Sequence, residues 1–243
     1  MGAIFFLLAY AWPHAAAADT LEARFSPPPG AARVAVADGS FGDFVRRLPL
    51  KPRGAAVHLY DGSEKPRQDV HAAVVDLDVP PRDLQQCADA VMRLWAEYRY
   101  ARGATVAFHP DPGKPRALTF DARSPHTTND RRAFEKWLIR VFADAGSASL
   151  EAELHPVRDV PQPGDVLIQG GYPGHAVLVL DVAAGTDGRR WLLLGQSYMP
   201  AQEFHVLRNP ATPGSPWYDA ASLATGLQTP EWRPFVAHDL KRF

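Results

Sequence analysis

The feature that most constrains the fold is the stretch QPGDVLIQGGYPGHAVLVLDV, residues 162–182. A Pro-Gly-Asp turn opens it, and the apolar run Val166 to Ile168 reads as a short strand. A glycine-rich loop, Gly170 to Gly174, then delivers His175 to the start of a second strand, Ala176 to Val182. One turn later a third strand, Arg190 to Leu194, runs out into Gly195, Gln196, Ser197 and Tyr198. Opposed residues in an antiparallel hairpin keep a constant position sum. A register that opposes 175 to 196 also opposes 182 to 189, and it leaves Ala183 to Gly188 as the connection. Two neighbouring strands would thus end in polar side chains, His175 and Gln196, at one edge of a sheet.

The rest of the chain supplies helices to cover that sheet. Phe41, Phe44, Val45 and Leu48 recur at helical spacing before Pro49. Ala55 to Tyr60 and 71 to 79 read as strands. A long helix follows, with Asp83 as N-cap, Gln86 completing a capping box, and Val91, Leu94, Trp95 and Tyr98 forming one apolar stripe. Thr105 to Phe108 reads as a strand returning to the sheet, and Arg116 to Phe120 as a short strand. A second helix runs from about Asp130 to Ala145 and stops at Gly146. The alternating segment 149–154 reads as an edge strand, and Phe204 with Val206 as a further short strand. The tail from Ala211 to Phe243, with SPWYD and TPEWRPF, reads as irregular packing over the core. The expectation is an α+β domain over residues 41–243, preceded by an irregular lead-in at 19–40, with a central antiparallel sheet and packed helices.

With 243 residues and a formal charge of −1, the chain carries no basic excess of the kind that binds nucleic acid. Ile4 to Trp12 form an apolar run too short to span a bilayer, and small residues at Ala16 and Ala18 suit a secretory cleavage site. No Lys or Arg precedes that run. Residues 1–18 are therefore expected to be a signal peptide, and the mature chain to be exported, periplasmic or extracellular, without a membrane span. The oligomeric state is left open.

Cys87 is the single cysteine, so no internal disulfide exists. It lies in the first turn of the expected helix, where unpaired N–H groups and the helix dipole stabilise a thiolate. His175 is the candidate general base and Gln196 the candidate orienter of its ring. Cys87 also lines up with the apolar stripe, which suits an inert core cysteine equally well. Tyr172, Ser197, Tyr198, Gln202, His205 and Trp217 are the candidate substrate contacts: Tyr172, Tyr198, Trp217 and Tyr218 would rim a cleft beside GGYPGH, and Ser197 and Gln202 cluster in sequence near Gln196. His205 follows Phe204 in an alternating segment and is expected to face away from the core. No HExxH or comparable ligand spacing is present, and neither a metal nor a cofactor is expected. A second oxyanion donor, beside the Cys87 N–H, is left unassigned, with Gln85 and Gln86 nearby.

Two resemblances follow from these residues. A cysteine at a helix start, then PGD-strand, GH-strand and a strand ending in a polar residue, resembles the papain-like NlpC and CHAP amidases. That resemblance implies a papain-like core with insertions and the roles nucleophile for Cys87, base for His175 and orienter for Gln196. It further implies hydrolysis of cell-wall peptides, with a peptidoglycan stem peptide or another envelope peptide as partner. Here the interval from Cys87 to His175 is longer and holds an extra helix, and DLQQCADAVMRLWAEY lacks the aromatic-glycine context those enzymes carry. A closer resemblance, over Phe41 to Phe243, is to the bacterial domain-of-unknown-function family 4846. It rests on CADAVMRLWAEY, PGDVLIQGGYPGHAVLVLDVA, QSYMPAQEFHVLRNP, SPWY and TPEWRPF. The alternative to an amidase is a non-catalytic envelope protein that binds a glycan or peptide on the same fold.

Overall fold

The computed structural model describes residues 19–110, 116–124 and 130–243. The expected signal peptide, residues 1–18, lies outside the described residues. In chain order the elements are α1 (Leu21–Arg24), β1 (Ala31–Arg33), α2 (Phe41–Arg46), β2 (His71–Val74), α3 (Cys87–Ala101), β3 (Val106–Phe108) and β4 (Leu118–Phe120). They continue with α4 (Arg131–Asp144), α5 (Ser147–Glu153), β5 (His155–Pro156), β6 (Val166–Gln169), β7 (His175–Gly185), β8 (Arg190–Gln196), β9 (His205–Leu207), β10 (Trp217–Asp219) and β11 (Leu240–Arg242).

The fold is α+β, built on a large antiparallel sheet in the order β2-β9-β8-β7-β6-β11-β5, with β1 on β7 and β10 on β8. The central strands are apolar on both faces because both are covered. Val166, Ile168, Ala176, Leu178 and Leu180 pack with Ala88, Val91 and Met92 of α3. Leu167, Val177, Val179, Leu192 and Leu194 pack with Tyr218, Leu227 and Phe235 from the C-terminal segment. Asp181, fully buried in β7, is held by Arg33 and Arg46, each 2.6 Å away, and so ties β1 and α2 to the sheet.

Several local expectations need correction. The helix begins at Cys87 with Gln86 as N-cap, and the Asp89 carboxylate accepts the Gln86 N–H at 3.0 Å. Asp83 is drawn away: its carboxylate accepts the Ala201 N–H at 2.7 Å and the Gln86 amide at 3.0 Å. Segment 149–154 is not an edge strand: residues 149–153 belong to α5 and Leu154 caps it, and Leu150 and Leu154, four apart, are both buried. β3 pairs with β4 in a separate two-stranded sheet. Segment 55–60 contributes isolated bridges, His58 to Glu64 and Leu59 to Gln202, rather than a regular strand. The lead-in contains α1 and β1, and β1 joins the main sheet.

The β7–β8 register also differs. Leu178 opposes Gly195 and Val179 opposes Leu194, and after a bulge Asp181 opposes Leu193 and Ala184 opposes Arg190. His175 pairs instead with Gln169 of β6, and Gln196 pairs with His205 of β9. The His175 and Gln196 side chains still meet, because they are diagonal neighbours within reach of long polar groups.

Candidate functional site

His175 opens β7 because the loop before it can fold tightly only with glycine. A Cβ at Gly174 would lie 2.0 Å from Ser147 Oγ and 2.7 Å from the backbone oxygen of Gln169. His175 is fully buried, and its Nε2 lies 2.8 Å from Gln196 Oε1. Gln196 Nε2 donates in turn to Glu231 Oε2 at 2.9 Å, and Lys65 Nζ donates to Glu231 Oε1 at 2.7 Å. A carboxylate only accepts, so the Gln196 amide must turn its NH2 to Glu231 and its oxygen to the histidine. That oxygen requires a proton on His175 Nε2. Nδ1 therefore carries the lone pair, and it has no hydrogen-bond partner among the described residues. Tyr198 stands edge-on to the imidazole at 5.1 Å between centroids, and Trp232 lies across it at 4.9 Å.

Cys87 is 5% exposed at the first position of α3. Its sulfur lies 3.9 Å from the Gly174 carbonyl, and the Ala176 N–H is also directed at it. Those two peptide groups flank His175. Strand alternation places the His175 side chain with Val177 and Val179, against Trp232 and Phe235, whereas α3 covers the Ala176 and Leu178 face. Thiol and imidazole thus approach the same strand entry from its two sides.

Electrostatics keep both groups neutral. Burial pushes the Cys87 thiol up to about 11, opposed in part by the Ala176 N–H and reinforced by Asp89. Burial pulls His175 down to about 4, against the hydrogen bond it donates to Gln196, with Lys65 adding to the depression. The gap between these values makes a thiolate–imidazolium pair roughly 10 kcal/mol uphill before mutual attraction is counted.

The other candidate contacts divide. Tyr172, 73% exposed, stands in the loop that leads into the His175 strand, and half-buried Tyr198 in the loop that leaves the Gln196 strand. Ser197 is buried, with its hydroxyl in reach of the Gln85 and Gln202 carbonyls. Gln202 is buried and donates to the Pro200 carbonyl at 3.0 Å. Trp217 is buried in β10 and donates its indole N–H to Ser26 at 2.8 Å. His205 does not face away from the core: it is fully buried, Nδ1 donates to the Glu203 carbonyl at 2.9 Å, and its pKa falls to about 3 through desolvation. Gln86 Nε2 is taken by Asp83, while Gln85 Nε2 is buried without a partner among the described residues.

Sequence reasoning missed Lys65, Glu231 and Trp232. The one available signal was Glu231 itself, a charge inside the aromatic-proline segment TPEWRPF. Among the described residues no group of three or more His, Cys, Asp or Glu could hold a metal ion, and no helix is long and apolar enough to cross a membrane.

No curated protein and no solved structure matches the chain. The likeness to NlpC and CHAP enzymes therefore rests on the residues alone. A family model does match, over residues 21–117 and 113–242, which together make up most of the sequence. The chain belongs to the family described as domain of unknown function (4846).

Proposed function

We propose that the chain is a papain-like cysteine amidase or peptidase that is held in a neutral, covered resting state. The observation that carries this reading is the fixed tautomer of His175: Nε2–H is given to Gln196, leaving a buried, unpartnered Nδ1 at the strand entry that Cys87 abuts. An imidazole oriented in this way is what a thiol nucleophile needs as its base. Because separated charges are costly here, the proton leaves the sulfur as the new bond forms. In the resting structure β7 separates thiol from ring, so the strand entry at Gly174 must first shift to bring Nδ1 to the face that carries Cys87. The Cys87 Sγ–carbonyl bond then forms, the proton passes to Nδ1 and on to the departing amine, and the amide C–N bond breaks. Water hydrolyses the thioester and restores the thiol. Trp232 and Tyr198 cover the ring, so substrate access requires their displacement.

A wall stem peptide is the favoured substrate, as an exported protein would meet it outside the cytoplasmic membrane. A second reading, an envelope protein that binds a glycan or peptide without turnover, is favoured by the neutral, sealed pair together with the exposed ring of Tyr172. Incubating the protein with purified wall peptides and measuring newly released amino groups separates the two. The amidase reading expects release by the wild type and none by Cys87→Ala. Binding of those peptides without release, unchanged in Cys87→Ala, supports the second reading and sinks the first.

A further inference from the structure

Glu231 sits on the C-terminal segment, far from β7 in sequence, yet it stands at the end of the hydrogen bonds that lead to His175. Its side chain and that of Lys65 are 7% and 5% exposed. Tyr198, whose ring stacks edge-on against His175, donates its hydroxyl to the Glu231 backbone carbonyl at 2.9 Å, and Lys65 Nζ lies 5.3 Å from the centre of that ring. The carboxylate therefore has two fixed partners, a cation on one oxygen and an amide NH2 on the other. Among the described residues no other contact decides which way round the Gln196 amide lies. Its oxygen and nitrogen are nearly equal in size, and the imidazole accepts either, by placing its proton on Nε2 or on Nδ1.

We infer that Glu231, held by Lys65, is a positioning residue: through Gln196 it decides which nitrogen of His175 carries the lone pair. Its catalytic consequence rests on the amidase reading, but the tautomer itself does not. With Glu231 in place, Gln196 presents oxygen, Nε2 is protonated and Nδ1 is the base. Glu231→Gln keeps the shape and reverses the chain. The introduced amide turns its oxygen to Lys65 and its NH2 to the Gln196 oxygen, so Gln196 must present NH2 to His175. Nε2 then accepts, and the proton moves to Nδ1.

The test is a long-range proton–nitrogen correlation spectrum of the 15N-labelled full chain near neutral pH, with His175→Gln used to assign the ring. The wild type is expected to show a protonated, pyrrole-type Nε2 and a bare, pyridine-type Nδ1. Glu231→Gln is expected to exchange the two signatures. Glu231→Asp retains the charge opposite Lys65 but falls one methylene short of Gln196, and it is expected to show both tautomers. It is the arm to read if Glu231→Gln does not fold. A wild-type tautomer persisting in either folded variant overturns the inference. The tautomer exchanging while the wild type releases no amine from any wall peptide leaves Glu231 as the positioning residue and removes the amidase reading instead.

Discussion

Burial of His175 has a consequence that can be measured without any substrate. Its imidazole is fully buried, and desolvation lowers its pKa from 6.5 to about 4. The unfolded chain takes up that proton below about 6.5, whereas the folded chain resists until about 4. The stability associated with the depressed value is thus complete above pH 6.5, declines as pH falls, and is gone below about pH 4. Within that window the slope is roughly 1.4 kcal/mol per pH unit for this one group. Urea unfolding of the wild type and of His175→Gln at pH about 7.5 and about 5, at fixed ionic strength, isolates it. The variant is expected to be less stable at both pH values, since it loses packing against Trp232 and Tyr198. The difference between the two proteins should shrink by about 2 kcal/mol on acidification. His205 and the carboxylates titrate in both proteins and cancel. Parallel pH dependences would refute the claim that the ring is held neutral by burial.

Two further outcomes follow from the same site. Cys87, with its thiol pushed up to about 11, should react with iodoacetamide at neutral pH far more slowly in the folded protein than after denaturation, and faster as pH rises. A folded-state rate above the unfolded one would show that a thiolate already exists. Gly174→Ala should destabilise by roughly 1–3 kcal/mol in thermal or urea unfolding, because the added Cβ meets Ser147 Oγ and two backbone atoms. Combining it with Ser147→Ala should give little relief, since the Gln169 oxygen and the Gly171 nitrogen, both at 2.7 Å, cannot be trimmed.

Much of the scaffold was legible because it is local. The apolar stripe of α3, the span of α4 and the PGD, glycine-rich and GH signals around β6 and β7 each depend on neighbours a few residues away. Where distant partners intervene, the reading slips. Asp83 looked like a cap, but Ala201, far along the chain, recruits its carboxylate. The alternation in 149–154 masks a helical turn that buries Leu150 and its C-cap, Leu154, together. The β7–β8 register differs from the expected one by two or three positions, since the bulge between Val179 and Asp181 leaves no mark in an apolar run. The His175 and Gln196 side chains do meet, although as diagonal neighbours rather than as the opposed pair the register predicts, and the groups that orient and cover them come from residues 65, 231 and 232. Such contacts are set by how the C-terminal segment folds back across the sheet, which periodicity does not encode. His205 was placed facing outward from a two-residue alternation, whereas β8 and β2 flank its strand and bury it.

The most direct measurement is the mass of the protein after brief exposure to an activated ester of a wall peptide, quenched in acid to preserve thioesters. The amidase account expects the wild type to gain one acyl group, mapped to Cys87. His175→Gln should acquire it far more slowly, and Cys87→Ala not at all. An unmodified Cys87, or equal acylation with and without His175, would contradict it.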